Sequence, residues 1–161
     1  MDFEKIRQSY RPDNIKLLMV GESPPASKGF FYVKSNMTLY TIRTFKTAYG
    51  MDFKEISEFL SFFKSSECFL DDLCHTPVNN LSRSDRRQSH IDNIEGLSKR
   101  IKQADPEIVV TFLKSIKEHV NDAILMSGCR PEIYVLPFPG QSHQVKYMDG
   151  LTDILKRHLV V

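Results

Sequence analysis

Ile15-Lys16-Leu17-Leu18-Met19-Val20, followed at once by Gly21-Glu22-Ser23-Pro24-Pro25, is a short apolar run that ends in a stiff polar loop. Six residues are too few for an independent helix, and an almost unbroken apolar run fits a strand buried on both faces. Three more runs share this character: Cys68–Leu73, Ile108–Phe112 and Ile133–Leu136. Helical periodicity fills the gaps between them. Leu39, Ile42, Phe45 and Tyr49 lie on one predicted helix, stopped by Gly50. Asp52 is expected to open a second, with Glu55 as its capping-box partner and Phe53, Ile56, Leu60 and Phe63 on its apolar face. A third, capped by Ser84, carries Ile91, Ile94, Leu97 and Ile101 and ends at Asp105-Pro106. A fourth carries Leu113, Ile116, Val120 and Ile124 before Gly128, and a fifth Met148, Leu151, Leu155 and Leu159. Strands that alternate with helices predict an α/β fold: a mostly parallel sheet covered on both faces.

The chain has 161 residues and no Pro/Gly/Ser linker, repeat or low-complexity segment, so residues 1–161 are expected to form one domain. Lys and Arg number 22 and Asp and Glu 20, a balance that excludes charge-driven nucleic-acid binding by the whole molecule and leaves room for a local basic patch. The three cysteines, Cys68, Cys74 and Cys129, form no C-x-x-C pair, so no metal and no cofactor are expected. The first residues, Met-Asp-Phe-Glu-Lys-Ile-Arg, contain no apolar leader, and no run is long enough to span a membrane. The expectation is a cytoplasmic monomer without a membrane partner.

In open α/β sheets, ligands bind outside the carboxyl ends of the strands. Three such segments are polar and structured by proline. After the first strand, Gly21 permits a close backbone approach, Pro24 and Pro25 stiffen the loop, and Glu22 and Ser23 are held at the open edge. Glu22 is the candidate to hold a water as general base, with Ser23 to orient it. Phe30, Phe31 and Tyr32 offer flat faces for a base or plug the core. After the last strand come Pro137-Phe138-Pro139-Gly140-Gln141-Ser142-His143. Gln141 and Ser142 lie near a helix N-terminus that favours anions. His143 either donates to developing negative charge or simply caps that helix. At the end of the second strand, Asp71 and Asp72 must point to opposite faces, and Asn79 and Asn80 suit a turn as well as a ligand contact. Arg83-Ser84-Asp85-Arg86-Arg87 either supplies local positive charge beside this rim or is simply a solvated helix start.

In this order, these segments resemble the uracil-DNA glycosylase superfamily. Gly21-Glu22-Ser23-Pro24-Pro25 is similar to the family's first motif, in particular its G-E-A-P-G form, and Pro137-Phe138-Pro139 to the P-x-P of its second. Pro77 to Asn80 match a P-x-x-N found in some branches, and Asp71 falls near the base-recognising Asn. The resemblance implies a three-layer α/β/α fold whose four parallel strands run in the order 2-1-3-4. It also implies hydrolysis of the N-glycosidic bond of uracil or another deaminated base in DNA. Glu22, Ser23 and His143 would then be catalytic, Glu22 with Ser23 through a positioned water or negative charge near the sugar, and His143 or the N–H groups opening the last helix as donor to the departing base. Gly21, Pro24, Phe30, Phe31, Asp71, Asn79, Pro137, Pro139, Gln141 and Ser142 would bind substrate. Leu136 stands where the second motif carries His, and Gly140 where it carries a duplex-wedging Leu. The expected activity is therefore weak or narrow, with single-stranded or mismatched DNA preferred. The competing expectation is a non-catalytic nucleotide- or nucleic-acid-binding module on the same fold. In either case Glu22, Ser23, Phe31, Asp71 and the Pro137–His143 loop are expected to line one cleft.

Overall fold

The computed structural model describes residues 1–161. The elements are α1 (Phe3–Ser9), β1 (Leu17–Gly21), α2 (Asn36–Tyr49), α3 (Ile56–Ser65), β2 (Cys68–Asp72), α4 (Arg83–Asp92), α5 (Ile94–Ala104), β3 (Ile108–Phe112), α6 (Lys117–Ser127), β4 (Glu132–Leu136) and α7 (Gln144–His158). A single 3₁₀ turn, Lys114–Ile116, leads into α6. The four strands form one all-parallel sheet in the order β2-β1-β3-β4. This is the expected three-layer α/β/α arrangement. No helix is long and apolar enough to cross a membrane.

Register fixes which residues face which layer. Gly21 lies beside Asp72, and Val20 lies between Asp71 and Thr111. Side chains alternate along a strand, so Gly21, Asp72 and Phe112 share one face while Val20, Asp71 and Thr111 share the other. On the first face Phe112 meets Tyr147 of α7 edge-on, and α7 packs against α2. On the second, Arg100 of α5 reaches Asp71, and α5 packs against α6. Every residue of β2 and β3 is buried, whereas β4, at one margin, exposes Glu132 and Ile133.

The other margin is β2, and its open edge is closed by side chains. The Tyr32 hydroxyl accepts from Leu70 N–H at 2.6 Å and donates to Leu70 C=O at 2.9 Å. Arg7 Nη1 donates to the same carbonyl at 3.1 Å, and Arg100 Nη2 donates to Asp72 C=O at 2.8 Å. An edge strand normally presents such groups to any passing chain. Here one phenol and two guanidiniums occupy them.

Several helices differ from their sequence reading. α1 was not anticipated; Asp2 caps it by accepting from Lys5 N–H. In α2 the buried face is Met37, Thr38, Thr41, Thr44, Phe45 and Ala48, and Leu39 is exposed. Threonine is tolerated there because Thr41 and Thr44 donate to the carbonyls of Met37 and Tyr40, and Thr41 also meets the Tyr147 hydroxyl at 2.7 Å. Asp52 does not open α3. It binds the next N–H, Phe53, and pairs with Lys46, while the helix begins after Glu55. The expected third helix is two helices meeting at Asn93, and Ser82 rather than Ser84 caps the first. Gly50 and Gly128 end α2 and α6 at φ of 63° and 78°.

Removing the edge-closing hydroxyl tests this account. Tyr32→Phe leaves Leu70 N–H buried and unpaired, so the chain should lose about 1–3 kcal/mol in urea unfolding. An unchanged unfolding midpoint would show that the hydroxyl does not close the edge.

Candidate functional site

A cavity of about 470 Å³ opens at the carboxyl ends of β1, β2 and β3. That lies within the range of small-molecule sites, and the position is the one the strand-end rule selects. Phe30, Phe31, Leu70, Phe112 and Phe138 provide apolar walls; Ser23, Ser35, Asn36, Asn79 and Asp72 provide polar groups. Gly21, Pro24, Pro25 and Gly29 bring backbone close to the space.

Of the walls, Phe30 is stacked on Phe3 of α1 with ring centroids 4.4 Å apart. The Arg7 guanidinium lies 5.4 Å from the Phe30 ring centre, and Tyr32 packs against the same ring at 5.8 Å. Phe31 packs against Phe63 and, edge-on, against Tyr32 and Phe59. Both rings are buried structural walls as well as cavity lining. Phe138 is the exposed aromatic at the mouth, 43% accessible. Asn79 also lines the cavity from an exposed position.

Glu22 lines the cavity beside Gly21 and Ser23, and it is not a free carboxylate. Arg86 grips it with two donors, Nε to Oε2 at 2.6 Å and Nη2 to Oε1. His90 Nε2 adds a third contact at 2.7 Å. Burial works to raise its pKa, but the bonds from Arg86 and His90 win and hold it below the usual Glu range. A carboxylate so paired is a poor proton acceptor and a well-fixed anion. Arg86 and His90 both lie on α4, whose start reads in the sequence as a solvated basic run.

Asp71 corrects the expectation of a single cleft. Its side chain lies on the face opposite Phe31, buried among Arg100 (Nε to Oδ2, 2.8 Å), His75 (Nε2 to Oδ1, 2.8 Å) and, further off, Arg7 at 3.7 Å. It also accepts the N–H of Asp72. Burial opposes ionisation, yet His75, Arg100 and Arg7 hold the carboxyl well below the usual range. The physical reason is parity: Asp71 is in register with Val20, one residue off the Gly21 face.

Asp72 is the acid that enters the cavity. It is 5% exposed. Its Oδ2 takes Arg7 Nη2 at 2.8 Å, and its Oδ1 accepts no hydrogen bond from the chain. Burial outweighs Arg7 and pushes the carboxyl above its ordinary value. Arg7, 1% exposed, is held cationic by Asp72 and Asp71 against its own burial. A Cβ on Gly21 would sit 2.7 Å from Asp72 Oδ1, so glycine is what leaves that oxygen room.

The last-strand loop is the second correction. Pro137, Gln141 and His143 line a neighbouring cavity of about 510 Å³, with Lys114 and Lys146. Leu113 and Phe138 line both cavities and divide them. His143 stands at the N-cap position of α7 without a side-chain cap bond. Pro139 is buried and Ser142 exposed; neither lines either cavity. The separation follows from Leu113 and the exposed Phe138 ring projecting between the strand ends. Burial, with Glu22 and Asp72 nearby, pushes the Cys74 thiol up to about 11, so it stays protonated at neutral pH.

The chain matches no protein-family model and no curated protein sequence.

The Asp71 cluster carries a pH signature. The folded carboxyl ionises below the ordinary value of 3.8, so it contributes stability above that pH and loses it as pH falls further. Asp71→Asn should therefore cost about 3 kcal/mol at pH 7, and the gap to the unaltered chain should shrink by pH 3. Unfolding curves at the two pH values measure this; an equal gap at both would contradict the assignment.

Proposed function

We propose that the 470 Å³ cavity receives a nucleobase and that the protein is a DNA glycosylase, hydrolysing the N-glycosidic bond of a deaminated or otherwise altered base. One observation carries the reading: an aromatic-walled, base-sized cavity at the strand ends, lined by a carboxylate with one oxygen that no protein group binds. The order of motifs from Gly21 to Pro139 supports the reaction class.

Within that reading the groups take distinct roles. A base turned out of the DNA stack enters past Phe138 and lies against Phe31 and Phe112. Asp72 fixes its edge. Ser23 and Asn79 are placed to orient a water or the sugar. Glu22, gripped by Arg86 and His90, remains ionised and opposes the positive charge that builds on the sugar as the bond breaks. That is the electrostatic one of the two roles expected of Glu22, not the proton-accepting one. The Lys114 and Lys146 side chains beyond Phe138 supply positive charge where a DNA backbone would pass.

A second reading has its own support. Because Glu22 is already neutralised by Arg86, the site lacks a free base beside the sugar, which suits a binding module that holds a base without cleaving it.

Labelled single strands carrying one uracil, hypoxanthine or oxidised guanine, treated with protein and then alkali, separate the two. The glycosylase reading expects strand scission for at least one altered base, faster in single strands than in duplex. Asp72→Ala should lower the rate at least tenfold. Binding without scission would leave the binding module; neither binding nor scission would overturn both readings.

A further inference from the structure

The edge that a bound base must present follows from Asp72. Its Oδ2 is committed to Arg7 at 2.8 Å. Its Oδ1 projects into the cavity above Gly21, where any side chain would collide with it, and it has no donor from the protein. Asp72 is more than nine-tenths buried, so a donor for that oxygen has to come from whatever fills the cavity. A carboxylate oxygen that faces the cavity without a protein donor is open to one from a ligand, and bonds to a charged acceptor are among the stronger ones.

A carboxylate oxygen only accepts. Resting on the base-pocket reading above, we infer that the cavity selects a base by N–H groups offered to Asp72 Oδ1, so that it takes a guanine-type edge and turns away a uracil-type imide. The guanine edge places N1–H and the 2-amino group side by side, and an oxygen with two lone pairs can serve both. Uracil also has one ring N–H, but carbonyls flank it on both sides, and each would lie against the carboxylate. Adenine and cytosine come between, with an amino donor beside an acceptor nitrogen. Arg7 does not rescue the imide, because it is 1% exposed and its donors are spent on Asp72, Leu70 C=O and Glu4. Asn79, at the exposed side, remains able to donate to a carbonyl further round the ring. Asp72 is thus a specificity-determining residue.

The test deletes donors from the ligand, so it does not depend on a variant folding. Calorimetric titration of the unaltered chain with deoxyguanosine, deoxyinosine, 1-methyldeoxyguanosine and deoxyuridine compares two donors, one donor, a blocked N1 and the imide. Deoxyguanosine should bind at least tenfold tighter than deoxyuridine, deoxyinosine should fall between, and 1-methylation should weaken binding at least tenfold. Asp72→Asn, which replaces one acceptor by a donor, should narrow the guanine-to-uracil ratio. Deoxyuridine binding as tightly as deoxyguanosine, or no loss on 1-methylation, overturns the inference and leaves the base pocket standing. Absence of binding by all four nucleosides overturns the base-pocket reading itself, and this inference with it.

Discussion

Two carboxylates at consecutive positions of a fully buried strand set the terms for everything around them. Asp71 and Asp72 end β2, and alternation sends them to opposite layers. Each must then be met by a cation brought in from elsewhere in the chain, since an isolated buried charge is very costly. Arg100 comes from α5 to one, and Arg7 from α1 to the other. The same two guanidiniums close carbonyls on the open edge of β2. Charge pairing, edge protection and the seating of α1 are thus one arrangement.

That arrangement also makes the cavity asymmetric. Arg7 binds a single oxygen of Asp72, and Gly21 gives the other oxygen space on the cavity side. A bidentate grip, as Arg86 has on Glu22, would have consumed both. Two acids therefore line one cavity in different chemical states. Glu22 is saturated and fixed, and Asp72 is half satisfied. The difference lies in where their arginines come from. Arg86 approaches Glu22 from the rim, while Arg7 lies beneath Phe30 and reaches only the far oxygen.

The strands were legible because burial on both faces writes a continuous apolar run; Ile108–Phe112 is found with the boundaries read from sequence. Gly50 and Gly128 marked helix ends because only a left-handed residue closes those turns cheaply. The inner face of α2 was not legible, because its threonines hide their hydroxyls on preceding carbonyls and so pack as apolar groups. Nor was α1: Phe3, Ile6 and Arg7 gain their meaning from Phe30 and Asp72, far along the chain. For the site, the sequence reading put Asp71 in the cleft, whereas the register against Gly21 gives that place to Asp72. The missing signal was long-range: a glycine at the end of one strand beside an acid at the end of the next. Likewise, nothing local tells that Arg86 and His90 turn inward to Glu22.

The central claim is that Asp72, held on one side by Arg7, offers its other oxygen to a base in the cavity. A crystal structure of the chain soaked with deoxyguanosine tests it most directly. The account predicts the base inside the Phe31–Phe112–Phe138 walls with a ring or amino nitrogen about 2.9 Å from Asp72 Oδ1, and Arg7 still on Oδ2. A base bound elsewhere, or an Asp72 turned so that Arg7 takes both oxygens, would contradict it.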